Sequence, residues 1–467
     1  MNKTNEISNN RNENAINRRQ FVQSGAAALG AWAVVPYFSG ERTKTVAEQA
    51  PSDRLRVAAV GVGPMGYGDL CEFNGLADVV AICDLDEEYG LARVLANPKI
   101  GKKTGDKVAP PATYSDYRRV LDRSDVDVIA IATPDHWHVK IAIEAMQAGK
   151  HVFCQKPLTL TIAENQLIRK AVEKTGKTFL VGTQQRCDVD RFMKAAALVR
   201  KGLLGKINRV VVSLDQGPNR GPFPVAELPD PSRFDWNMFL GQAPETSFRW
   251  ERARGTFRYW YDYSGGQFTD WGAHHIDCAL WALDRDKHGA GPVEIDGRTA
   301  EHASPLDEFG RPTVDDHYNT ATTFEIKTKF ADGVELVVKS EPNSNGILFE
   351  GTEGRIYVNR GRLTGKPIED GVLDKISHDD LVALNHNKPL EWTKENFFRC
   401  IREGGLPSSD AFSHTYSMNV CHLCAIAARL GRVIRWNPET ETIEGDDVAA
   451  SFLSREQRKG FELPTVD

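Results

Sequence analysis

The chain has 467 residues, a formal net charge of −6 and 41% hydrophobic residues. That length accommodates two domains of ordinary size, and the mildly acidic balance with no long basic run gives nucleic-acid binding no footing. The eight cysteines lie mostly inside strand or helix patterns, as Cys83 and Cys154 do, which excludes a loop-rich disulfide framework.

Residues 1–16 are polar and rich in Asn. Asn17-Arg18-Arg19-Gln20-Phe21-Val22 then precedes an apolar, small-residue run from Gly25 to Phe38. Paired arginines, a Phe two residues on and a short, weakly hydrophobic stretch resemble a twin-arginine export signal. The run is short for a membrane span, and without a cysteine it offers no lipoprotein anchor. The expectation is a signal and linker over residues 1–53, engagement of the twin-arginine export machinery, and a periplasmic or otherwise extracytoplasmic destination.

Arg56-Val-Ala-Ala-Val60 reads as a buried parallel strand, and Gly61-Val-Gly63-Pro-Met65-Gly66 continues it as G-x-G-x-x-G. Gly61 allows the tight turn, Gly63 lets the backbone approach a pyrophosphate, and Gly66 lets the next helix pack close. The pyrophosphate takes the helix N-terminus, where free N–H groups and the dipole favour an anion. Met65, inside this turn, counts with the cofactor contacts. A second apolar run, Asp78 to Asp84, ends in a carboxylate able to accept both ribose hydroxyls and to repel a 2′-phosphate. Leu85-Asp-Glu-Glu-Tyr89 holds no Arg or Lys, so NAD is expected in preference to NADP. The same Asp could serve only as a helix cap.

Residues 91–112 read as a polar insertion and Ser115 to Asp122 as a helix. Strands follow at Asp127–Thr133, His151–Cys154 and Thr178–Gly182, separated by helices at Lys140–Ala148 and Thr161–Lys174. This alternation predicts a six-stranded, doubly wound dinucleotide domain over residues 54–183. Ligands in such sheets sit at the strand C-termini. Thr133, Pro134 and His138 after the fourth strand, and Gln155 after the fifth, are therefore assigned to the cofactor. Lys156, held by Pro157, is placed to meet a substrate oxygen.

A substrate-binding and oligomerisation domain is expected over residues 184–467. Its first strand is Ile207–Leu214. Residues 215–262 form an irregular stretch rich in Arg and aromatics, suited to a sugar's hydroxyls and C–H faces or simply to packing the loop. Asp270 to Trp281 reads as a helix, which puts Asp270 and His274 four apart on one face. His274 is the candidate base for a hydroxyl proton, Asp270 its orienter, and Lys156 the hydrogen-bond partner of the reacting oxygen. Arg186, just past the sixth strand, joins these three as a candidate substrate contact. Alternating segments at 319–326, 333–339, 346–350 and 355–358 predict an open, mainly antiparallel sheet, with helices at 395–403 and 414–429. Cys421-His-Leu-Cys424 has metal-like spacing but lacks a second pair, so no metal site is assigned.

Together, Gly61–Gly66, Thr133-Pro134…His138, Gln155-Lys156-Pro157 and Gly265-Gly266…Asp270…His274…Asp277 resemble, in order, the four motifs of the glucose–fructose oxidoreductase, inositol dehydrogenase and rhizopine-catabolism (Gfo/Idh/MocA) family. The resemblance covers almost everything after residue 54. It implies a Rossmann domain followed by an α+β domain, a dimer or tetramer, and the same roles for Lys156, Asp270 and His274. One departure stands out: the family's E-K-P glutamate is Gln155. That removes a negative charge beside Lys156, disfavours the protonated lysine and bears on the pH optimum.

The leading reading is hydride transfer between NAD and a secondary hydroxyl of a sugar, cyclitol or glycoside. An alternative uses the same parts. Transient oxidation acidifies a neighbouring C–H and permits loss of a glycosidic substituent, so a tightly held NAD is regenerated and the net reaction is hydrolysis. A third reading, a non-catalytic sugar- or nucleotide-binding protein, leaves Lys156 and His274 without a purpose.

Overall fold

The structure, a computed structural model, describes residues 54–466 apart from residue 106. The export segment expected over residues 1–53 lies outside the described residues.

The first sheet is parallel and six-stranded: β1 (Arg56–Val60), β2 (Asp78–Cys83), β3 (Ala112–Tyr114), β4 (Val128–Ile131), β5 (His151–Cys154) and β6 (Phe179–Val181), in the order β3-β2-β1-β4-β5-β6. The strand order reverses between β1 and β4, which opens a crevice at their C-terminal ends. The crossover helices are α1 (Pro64–Leu76), α2 (His138–Gln147) and α3 (Ile162–Thr175). The last is bounded as its sequence dictates. Thr161 accepts a hydrogen bond from the Glu164 amide at the start, and Gly176 ends the helix at φ +62°.

The stretch at 91–112 is not a featureless insertion. It contains an antiparallel hairpin, Lys102–Thr104 against Lys107–Ala109, and leads directly into the edge strand β3.

The second domain is built on a nine-stranded mixed sheet. Helix α4 (Lys194–Arg200) precedes β7 (Ile207–Leu214), and α5 (Gly272–Ala282) follows the irregular segment. Then come β8 (Glu294–Asp296), β9 (Glu325–Lys329), β10 (Glu335–Ser340), β11 (Gly346–Gly351), β12 (Arg355–Val358), β13 (Leu363–Thr364), β14 (Val433–Asn437) and β15 (Thr442–Glu444). The order is β13-β12-β11-β7-β10-β9-β8-β14-β15. Only β7 and β10 pair in parallel; every other pairing is antiparallel. Helix α5 is buried at every residue, so it is apolar all round apart from His274, His275 and Asp277.

The chain then returns to its beginning. Helix α6 (Thr393–Glu403) sends Phe397 and Phe398 into the Rossmann core beside Phe73 of α1 and Phe153 of β5. Helix α7 (Ala411–Leu430) packs on α3 and α5. Val466 is buried against the other face of the parallel sheet, with Phe461 and Leu463 beside it. Burying one Phe side chain contributes about 1.5–3 kcal/mol, so these late residues are part of the nucleotide domain's stability.

Candidate active site

At the C-terminal ends of β1 and β2 the glycine turn opens a cavity of about 360 Å³ lined by Gly61, Gly63, Met65, Asp84, Thr133 and Pro134. Gly61 holds φ +81°, and a Cβ there would lie 2.6 Å from the Ala132 carbonyl. At Gly66 a Cβ would stand 2.0 Å from the Gly61 oxygen. The turn and the helix therefore approach each other as only glycine permits. Gly63 is the N-cap of α1 with Pro64 at the first position, leaving N-terminal amides for an anion.

The Asp84 carboxylate accepts the Val62 amide at 2.7 Å and the Asp86 amide at 2.9 Å, and Gly90 leaves it room. Turn, helix N-terminus and strand-end acid together fit a dinucleotide. Burial pushes the Asp84 carboxyl up to about 6, against the lowering effect of those amides. A ribose diol is held by the ionised form. Affinity for NAD should therefore be flat above the Asp84 pKa and fall by up to about tenfold per pH unit below it. Fluorescence titration over about pH 5–8 checks this, and a profile that stays flat at the acid end refutes it.

The second domain roofs this cavity. Phe234, Phe257, Arg254 and Arg258 from the irregular segment complete the lining. Arg254 pairs with Asp86 at 3.0 Å and stands over the Tyr89 ring at 4.9 Å. The Glu87 amide donates to the Arg233 carbonyl at 3.1 Å, and Arg233 pairs with Glu88. Most of the segment's aromatics pack on one another: Phe223, Trp236, Phe248, Trp260 and Tyr263 belong to one buried cluster. The packing alternative thus accounts for them, while Arg254 and Arg258 reach the clefts.

Beside the nucleotide cavity lies a wider cleft of about 620 Å³ containing Gln155, Lys156, Asp270 and His274. Arg258 lines both spaces. Lys156 Nζ pairs with the Asp270 carboxylate and also donates to its carbonyl at 3.2 Å; Arg258 approaches the same carboxylate at 3.5 Å. Burial works to raise the Asp270 carboxyl, but Lys156 and Arg258 outweigh it and hold it below the usual range. His274 is driven well below its ordinary value by burial, then by Lys156 and Arg360, so it is neutral at neutral pH. Its Nδ1 is buried without a partner.

Three sequence expectations need correction. Asp270 does not orient His274: α5 begins at Gly272, so Asp270 sits in the preceding turn, where two cations draw its carboxylate away. Arg186 does not face the cleft. It is 1% exposed and forms a bidentate pair with Asp277 at 2.7 Å on each arm. His138 is not part of the nucleotide lining. Its ring nitrogens lie 2.6 Å from the Pro157 carbonyl and 2.9 Å from that of Thr133, so the ring is wedged between the two loops that carry the site, with its one N–H donating to one of these carbonyls.

Gln155 has a partner that the sequence did not reveal. Its Nε2 donates to Asp69 of α1 at 2.7 Å, and Lys394 of α6 donates to the other Asp69 oxygen at 2.8 Å. A Glu at position 155 would face the Asp69 carboxylate directly. Arg360, in the loop after β12, stands over Trp271 at 4.6 Å and lines the cleft with Gln184 and Trp392. These residues come from distant loops and carry no motif that sequence reading could use. Asp135 lies in the loop after β4. It is 4% exposed, accepts the Ser264 hydroxyl, and burial raises its carboxyl to about 7.

Residues 55–183 match the Gfo/Idh/MocA oxidoreductase family's NAD-binding Rossmann fold, and residues 191–463 match the family's C-terminal alpha/beta domain. A glycosyl hydrolase family 109 protein of Shewanella pealeana is 32% identical over 211 residues, 41% of this chain and 44% of that one. An alpha-N-acetylgalactosaminidase of Shewanella oneidensis is 27% identical over the same shares. The chain thus spans less than half the length of the curated relatives it matches. Among solved structures, the WlbA dehydrogenase of Bordetella pertussis, in complex with NADH and UDP-GlcNAcA, superposes with a TM-score of 0.56 at 19% identity, covering 82% of this chain and 98% of that one. A levoglucosan dehydrogenase in complex with NADH and levoglucosan gives 0.54 at 18%, covering 82% and 99%. The chain therefore belongs to the Gfo/Idh/MocA oxidoreductase family and is an NAD-binding enzyme of that family.

Proposed function

We propose that the enzyme acts on a secondary hydroxyl of a sugar, cyclitol or glycoside. The observation that carries this is the Lys156–Asp270 pair and neutral His274 gathered in one cleft, with Arg258 shared between that cleft and the nucleotide cavity. When bound, NAD supplies the hydride acceptor. His274 takes the hydroxyl proton, for which its neutrality is the needed state. Lys156 donates a hydrogen bond to the substrate oxygen, and Asp270 fixes the lysine's position. His138 and the Gln155–Asp69–Lys394 chain hold the loops that carry these groups.

The glycosidase reading uses the same residues and is favoured by the family 109 relatives, which are named as glycosyl hydrolases. Arg18-Arg19 and the apolar run after them support twin-arginine export. An exported chain has no dependable pool of free NAD, so its cofactor would be retained. The test is to purify the protein without added nucleotide and follow nicotinamide absorbance over a panel of sugars and glycosides. Continuous NADH formation on added NAD supports net oxidation. Glycoside cleavage with no net NADH supports the redox hydrolase. Loss of all nucleotide in gentle purification argues against retention.

A further inference from the structure

A second cavity, of about 280 Å³, lies on the reverse side of the loop after β4 and shares no lining residue with either space described above. Its chemistry is unusual for an interior. The guanidinium of Arg429, a side chain only 5% exposed, stands 3.9 Å over the Tyr261 ring, and that of Arg455 stands 4.0 Å over the same ring. Arg429 donates to the carbonyls of Gly310 and Asn319 at 3.0 Å each, and Arg455 donates to the Tyr261 carbonyl. All these acceptors are neutral. Among the described residues neither cation has an ion pair.

The nearby carboxyls do not fill that need. Asp262 pairs with Arg252 at 3.3 Å. Glu164 accepts the Leu160 amide at 2.6 Å; burial raises its carboxyl to about 7 against the attraction of Arg455, with which it forms no ion pair. Glu456 is exposed.

Other groups in the same lining are also unmet. Gln242 is 7% exposed, and both its Nε2 and its Oε1 are buried without a hydrogen-bond partner; so are His136 Nδ1 and Arg455 Nε. Buried polar atoms in native proteins are ordinarily paired. A cavity that holds two guanidiniums without an ion pair, a free amide and a free imidazole nitrogen is complementary to an acid that carries hydroxyls. The guanidiniums match a carboxylate or phosphate, and the amide and imidazole match hydroxyl groups.

We propose that this cavity binds a small hydroxylated anion, a carboxylate or phosphate on a sugar-sized molecule, at a site distinct from the reaction cleft. Its floor, His136, is the direct neighbour of Asp135, whose carboxyl faces Ser264 on the other side of the loop.

The test is calorimetric titration of the NAD-saturated protein, so that the glycine turn is already filled, with D-glucuronate and with inorganic phosphate. Saturable one-to-one binding of either is expected. It should weaken at least about tenfold in Arg455→Gln and in Gln242→Leu and be unchanged in Lys156→Ala. Glucuronate binding alone would identify a carboxylate site, and phosphate binding alone a phosphate site. Absence of saturable binding to both overturns the proposal, as does binding that Lys156→Ala weakens and Arg455→Gln does not. Should both cavity variants fail to fold, separate soaks of wild-type crystals in D-glucuronate and in selenate decide it. Density for either at Arg429 and Arg455 supports the site, and density for neither overturns it.

Discussion

The His274→Ala enzyme is expected to turn over about 10²–10⁴-fold more slowly than the wild type while binding NAD equally well. The separation follows from the layout, because His274 lines the wide cleft and takes no part in the glycine turn or the Asp84 shelf. The pH profile sharpens the test. Burial, Lys156 and Arg360 all oppose a charge on this imidazole. Its protonation, and with it the loss of the base, should appear only well below the range in which a free histidine titrates. Wild-type kcat/KM against pH checks this together with NAD binding to the variant. An acid limb centred at about 6.5 and assignable to His274 would refute the neutral-base role, as would full turnover by the alanine variant.

The Lys394→Met variant is expected to lose about 3–5 kcal/mol of stability, the usual result of stripping a buried charge of its partner. Lys394 is 2% exposed and holds Asp69 at 2.8 Å and Glu72 at 2.6 Å. Without it, Asp69 keeps only the Gln155 amide. Burial already raises the Asp69 carboxyl in the wild type, with Lys394 opposing, so removal of the lysine pushes it further up. A carboxyl raised in the folded state favours folding while protonated and loses that contribution as pH rises through its folded pKa. The defect should therefore be larger in mildly alkaline than in mildly acidic buffer. Urea melts at two pH values measure it. A loss that is small, or that deepens on acidification, would show that Asp69 is not the group left stranded.

The dinucleotide half was legible because its physics is local. Glycine spacing, short Val/Ile/Ala runs and a strand-end acid are set within about 30 residues of one another. Its third strand was not: Ala112–Tyr114 is three residues long and faces solvent, without a fully buried residue, so no hydrophobic run announces it. In the candidate site Lys156, Asp270 and His274 line one cleft, but Asp270 pairs with Lys156 and not with His274. A helix start displaced to Gly272 removes the four-residue spacing argument for Asp270. The direction taken by Arg186 depends on Asp277, which sequence reading left as a neighbour on an adjacent face. Arg360, Trp392 and Lys394 enter from segments whose contact with the site exists only after the chain has doubled back.

That doubling back has a consequence for how the protein is made. Phe397, Phe398 and Val466 complete the core around β1, β5 and α2, and Lys394 neutralises an acid on the very helix that receives the pyrophosphate. A ribosome delivers all of these after the strands they cover. The nucleotide-binding half, although synthesised before them, remains unfinished until these later residues emerge, unlike a domain that folds as soon as its own segment is free. A product truncated before α6 would lack the phenylalanines and the lysine that complete the core behind the glycine turn.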